Sequence, residues 1–97
     1  MNNMLSLSVF TIEVDRKPVV AFASRKYSEA EEICADERIR AKLSSVRSGG
    51  EPLSHEFAIL RVRLARPDEK ALYYQQASAR SAETGLIAVY LVELDET

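Results

Sequence analysis

Residues 86–94, Leu-Ile-Ala-Val-Tyr-Leu-Val-Glu-Leu, are the one run in this chain where both alternating faces of a strand are apolar. Ile87, Val89 and Leu91 point one way, and Leu86, Ala88, Tyr90, Val92 and Leu94 the other, because side chains alternate along a strand. Such a strand needs cover on both sides, so this run is expected at the centre of a sheet. Cover is scarce here: a chain of 97 residues makes one domain and buries roughly 60–65% of its unfolded surface.

Other segments must supply that cover. Residues 7–14 alternate, with Phe10, Ile12 and Val14 on one face and Val9, Thr11 and Glu13 on the other, which predicts a strand. Residues 19–24 predict its hairpin partner. A three-residue loop, Asp15 to Lys17, sets Phe10 opposite Phe22, Ile12 opposite Val20 and Val14 opposite Pro18; a two-residue loop would put Phe22 on the face of Thr11 and Glu13. Ser28 and Glu31 have capping-box spacing, which predicts a helix from Glu29. Its apolar phase changes midway. Ala30, Ile33 and Cys34 form one stripe, and Ile39, Leu43 and Val46 form another on roughly the opposite side. A break at residues 35–37 resolves the conflict, with Asp36 capping a second helix from Glu37 to about Arg47. Gly49 and Gly50 are expected to end it.

Residues 51–54 read as a loop and residues 55–65 as a strand. Ala58, Leu60, Val62 and Leu64 face the core, with Phe57, Ile59, Arg61 and Arg63 opposite. Pro67 suits the first position of a third helix, Asp68 and Glu69 suit its first turn, and the helix is expected to reach about Ala82. Its buried stripe is expected at Ala71, Leu72, Gln75, Ser78, Ala79 and Ala82. The elements read β-β-α-α-β-α-β, an α+β fold with one four-stranded mixed sheet. The third helix makes strands three and four parallel by a right-handed crossover. The expected order is 2-1-4-3, with the helices mainly on one face.

Composition narrows the function classes. An apolar share of 46% against 29% charged residues describes a globular chain rather than a disordered one. A net charge of −2 argues against binding an extended polyanion. One cysteine, Cys34, cannot pair within the chain, and the N-terminal stretch lacks the pattern of a secretion signal, so a cytoplasmic setting is expected. No run approaches the ~20 apolar residues of a membrane span.

The segments Phe10-Thr11-Ile12-Glu13-Val14-Asp15, Lys17-Pro18-Val19, Ser48-Gly49-Gly50-Glu51-Pro52-Leu53 and Val89-Tyr90-Leu91-Val92 together resemble a group of small uncharacterised bacterial proteins. The resemblance spans most of the chain and rests on hairpin, cap and turn features. Members of that group carry Gly where Arg16 stands and an aromatic residue where Ser54 stands. The resemblance implies a shared fold and no activity.

The residues that could carry chemistry read as structural. His55, the only histidine, stands between Ser54 and Glu56, whose side chains would point to opposite faces from its own on a strand, so it reads as a surface residue. Cys34 on the apolar stripe reads as a small buried residue. One Cys and one His make no zinc set, and no acidic loop has calcium spacing. Gly49-Gly50 lacks the lysine of a phosphate loop. Neither a catalytic residue, a cofactor nor a metal is therefore expected. The preferred expectation is a non-enzymatic protein-interaction or regulatory module, homodimeric through a sheet face formed by Val9, Phe57, Ile59, Arg61, Arg63 and Tyr90. Single-stranded RNA binding through the basic and aromatic face of residues 55–66, with Arg66 added, is the alternative. A small-molecule-binding domain with a pocket beside His55 is a third reading.

Overall fold

The computed structural model describes residues 7–55, 57–77 and 88–94. Within them lie β1 (Ser8–Val14), β2 (Lys17–Ser24), α1 (Tyr27–Ala35), α2 (Glu37–Ser45), β3 (Arg47–Ser48), β4 (Glu51–Pro52), β5 (Leu60–Leu64), α3 (Pro67–Ala77) and β6 (Ala88–Tyr90). The fold is α+β, and the main sheet has the order β5-β1-β2-β6 with every neighbouring pair antiparallel. This corrects the mixed sheet, the parallel crossover and the order 2-1-4-3. The β1–β2 hairpin holds the centre, since it carries the two longest strands. The described part of the 86–94 run is an edge strand instead, and residues 86–87 lie outside the described residues. Its two-sided apolar character is nonetheless satisfied: Val89 is buried with Tyr73 of α3, while Ala88, Tyr90, Val92 and Leu94 pack on the core beneath α1 and α2.

Two of the three helices, α1 and α2, lie on one face, and α3 covers the other. On the first face Phe10, Ile12, Val14, Val20, Phe22 and Val62 meet Ala30 and Cys34 of α1 and Leu43 of α2. On the second, Val9, Ala21 and Val89 meet Tyr73.

The hairpin reaches the expected facing by a different route. Its loop has two residues, Asp15 and Arg16, at φ 51° and 73°, as a type I′ turn requires. Alone, that loop would put Phe22 on the wrong face. A bulge between Ile12 and Glu13 of the β1 ladder leaves Val19 as the extra residue of β2 and restores Ile12 opposite Val20 and Phe10 opposite Phe22. Val14 accordingly pairs with Lys17 rather than Pro18.

The break between α1 and α2 falls at Asp36, whose side chain accepts from the Arg38 amide. The start of α1 differs from expectation. It begins at Tyr27 with Lys26 as an uncapped N-cap, so the Ser28–Glu31 box is not made; Ser24 donates to Glu29 Oε1 instead. After α2, Gly49 and Gly50 do not stop a helix. At φ 62° and 85° they turn the short β3–β4 hairpin. Nor is residues 55–65 one strand: β5 starts only at Leu60, and Phe57 sits in a turn.

Candidate functional site

Register decides what β5 offers to solvent. The Asp15 amide donates to the Ile59 carbonyl and the Ala65 amide to the Val9 carbonyl, each at 2.9 Å, so odd-numbered residues of this stretch bond to β1. In an antiparallel ladder the residues between them turn their N–H and C=O groups the other way. Leu60, Val62 and Leu64 therefore present theirs to the free side of the sheet. The Val62 carbonyl accepts from the Tyr27 hydroxyl at 3.2 Å, and the Leu64 carbonyl from Arg63 Nη1 at 3.1 Å. The three amides and the Leu60 carbonyl have no hydrogen-bond partner among the described residues.

Beside this edge runs an open groove of about 430 Å³. Leu60, Arg61 and Val62 form one side, Tyr27, Glu31, Cys34 and Ala35 of α1 the other, and Arg40 lies at it as well. Tyr27 stands there because its ring packs on Phe10 with centroids 6.0 Å apart, while Arg40 donates to the Ala58 carbonyl. Cys34 is buried, and desolvation pushes its thiol pKa up, against a smaller lowering from Arg40. It is suited to packing rather than nucleophilic attack. Large apolar side chains are exposed along the same stretch: Phe57 at 83%, with Ile59 and Leu64 each at 63%.

The six residues expected to share one sheet face do not come together. Val9 is 3% exposed in the core under α3, and Tyr90 packs on the opposite face. Phe57 and Ile59 precede β5. Arg61 is exposed on the second face and makes no ion pair among the described residues. Arg63, two residues on, is fully engaged. Its Nε donates to Glu13 Oε2 at 2.6 Å, and its two terminal nitrogens grip Glu69 at 2.8 and 2.9 Å. Glu69 also accepts from the Thr11 hydroxyl and from the Arg66 amide at the start of α3, the returning half of a capping box.

Arg63, ahead of the other donors, holds the Glu69 carboxyl down at about 2 despite its burial. The same carboxylates raise the Arg63 pKa. This lock explains why α3 buries Glu69 and Tyr73, four residues apart, and leaves Ala71, Leu72 and Gln75 exposed, which corrects the expected stripe; residues 78–82 lie outside the described residues. Sequence reading missed it because Glu13 and Arg63 stand on strand faces that look solvated, and their partner Glu69 lies on a different element.

His55 Nε2 stands 3.3 Å from Asp15 Oδ2, and both side chains are about half exposed. A cavity of about 220 Å³ adjoins them, below the usual range for ligand pockets. Ser54 Oγ is buried without a hydrogen bond among the described residues, so it is not joined to His55. Among the described residues no three His, Cys, Asp or Glu side chains gather as a metal site. No helix there is long and apolar enough to cross a membrane. Comparison with family models, with curated proteins and with solved structures finds no match to this chain.

Proposed function

We propose that this chain is a non-enzymatic protein-interaction module that takes an extended segment of a partner protein as an added strand along β5. The observation that carries this reading is the row of amides at Leu60, Val62 and Leu64, with the Leu60 carbonyl, that lack a partner among the described residues and lie beside an open groove against α1. An edge strand next to a helix supplies main-chain hydrogen bonds for affinity and a wall for alternate side chains of the guest. Edges of this kind are normally blunted; here Tyr27 and Arg63 occupy two carbonyls, and the amides are open among the described residues.

The contact surface thus moves from a sheet face to a sheet edge. Cover from α3 over Val9, Ala21 and Val89 removes the reason to invoke a second copy on that face. Arg63, with its donors spent on Glu13, Glu69 and Leu64, weakens the case for RNA. The test is selection of binders from a library of displayed random peptides, followed by amide hydrogen exchange on the complex. Slowed exchange at Leu60, Val62 and Leu64 supports the reading. Selected binders that slow exchange elsewhere and leave these three amides unchanged overturn it.

A further inference from the structure

Resting on the strand-addition reading, we infer that the segment taken up by β5 alternates apolar and acidic side chains. Side chains on adjacent strands line up by face, so a guest strand presents one set to each side of the sheet. On the first face its side chains enter the groove beside Leu60 and Val62, where Tyr27, Cys34 and Ala35 form an apolar wall and the oppositely charged Glu31 and Arg40 favour neither sign of charge. Those positions call for apolar side chains. On the second face they lie beside Ile59, Arg61 and Arg63.

The charges there are uneven. Arg63 is neutralised by Glu13 and Glu69. Arg61 is exposed and lacks an ion-pair partner among the described residues. Arg16 lines the same shallow cavity as Arg61 and Ile59, and Asp15, the one carboxylate there, already accepts from the Ile59 amide and pairs with His55. Two guanidinium groups therefore flank the path of a guest strand on this face, and carboxylates complement them.

A second copy's β5 brings no carboxylate of its own to this face, where it carries Ile59, Arg61 and Arg63, and one antiparallel register of two β5 edges sets Arg61 opposite Arg61. Like charges directly opposite destabilise a ladder.

The experiment uses labelled synthetic peptides and the full chain, with fluorescence anisotropy for affinity and amide exchange for place. The probes are an alternating valine–aspartate peptide, a peptide of the same composition in two-residue blocks, an alternating valine–lysine peptide, and the valine–aspartate peptide N-methylated at alternate residues. The alternating aspartate peptide is expected to bind and to protect the amides of Leu60, Val62 and Leu64. The lysine and block peptides are expected to bind about tenfold more weakly or less, and N-methylation to abolish binding.

Arg61→Glu is expected to reverse the order of the aspartate and lysine peptides. Leu64→Pro, at an exposed edge position where proline is tolerated, removes one outward amide and weakens both. Equal binding of aspartate and lysine peptides with β5 protected overturns the acidic guest and leaves strand addition standing. So does a dimer by light scattering whose β5 amides are protected without peptide. Binding of the aspartate peptide with the β5 amides unprotected overturns both.

Discussion

On the first face of the sheet Phe10, Ile12, Val20 and Phe22 meet an apolar layer from α1 and α2, whereas on the second Thr11 and Arg63 meet the carboxylate of Glu69, and Arg63 also holds Glu13. The first layer is non-directional and tolerates any helix that brings enough apolar area. The second is directional: four donors converge on Glu69, so α3 has one position that satisfies them all. Area alone holds one face, and on the other geometry adds to a smaller apolar cluster.

The comparison is broken most severely at Phe22, 1% exposed at the centre of the first layer. Phe22→Ala is expected to cost about 3–5 kcal/mol, a large part of the ~5–15 kcal/mol that such a domain has in total. Urea denaturation should show one earlier transition for the whole chain, because β2 belongs to both faces. A loss below about 1 kcal/mol would mean that the first layer is loosely packed.

Glu69→Ala is the matching change on the second face. It strands Arg63 with Glu13 alone, and a loss of about 2–3 kcal/mol is expected, less than the ~3–5 kcal/mol for breaking a fully buried pair because one carboxylate remains. Its signature is local: amides of α3 should exchange faster while those of β1 and β2 keep their protection. The same contact sets a pH dependence. The Glu69 pKa is depressed from 4.5 to about 2 in the folded chain, so its stabilisation is complete above pH 4.5 and is lost as pH falls towards 2. Asp36, held at about 2 by Arg38, titrates over the same range. The informative quantity is therefore the difference in slope between the native chain and Glu69→Gln.

Those two layers were unequally legible in the sequence. Phe10, Ile12, Phe22, Ala30 and Leu43 announce the first through periodicity, and the phase change between Cys34 and Ile39 located the break at Asp36. Thr11, Glu13 and Arg63 look like a solvated strand face when read as a pattern. Only the sequence-distant Glu69 converts them into a buried lock, and pairing over such a separation leaves no local trace. The open edge was hidden for a related reason. Residues 86–94 carry the stronger apolar signal, which pulled them to the centre of the expected sheet, although apolarity reports cover and not neighbours. Once α3 overlies Val89, an edge position satisfies that signal equally well. Val9 and Tyr90 went to opposite faces with it, and the edge at Leu60, Val62 and Leu64 became visible only from the ladder.

The hairpin turn lies between the two layers and sharpens the contrast from the stabilising side. Arg16 at φ 73° holds a conformation that costs a non-glycine residue about 1–2 kcal/mol. Arg16→Gly relieves it at some cost in unfolded-chain entropy, for an expected net gain of about 1 kcal/mol. That corresponds to a rise of about 4–8 °C in melting temperature, measurable by calorimetry. A decrease would mean that the Arg16 side chain stabilises the native turn by more than its backbone costs.

The smallest effect belongs to Arg61, two residues from the lock and on the same face. Arg61→Ala is expected to change stability by less than about 0.5 kcal/mol, as for exposed positions without a specific partner. Arg63→Ala leaves both Glu13 and Glu69 without their cation and should cost about as much as Glu69→Ala. Measured side by side in urea, the pair separates a cation built into the fold from one left for a partner. If Arg61→Ala instead costs more than about 1 kcal/mol, Arg61 stabilises the fold itself, and its exposure no longer argues for an acidic guest strand.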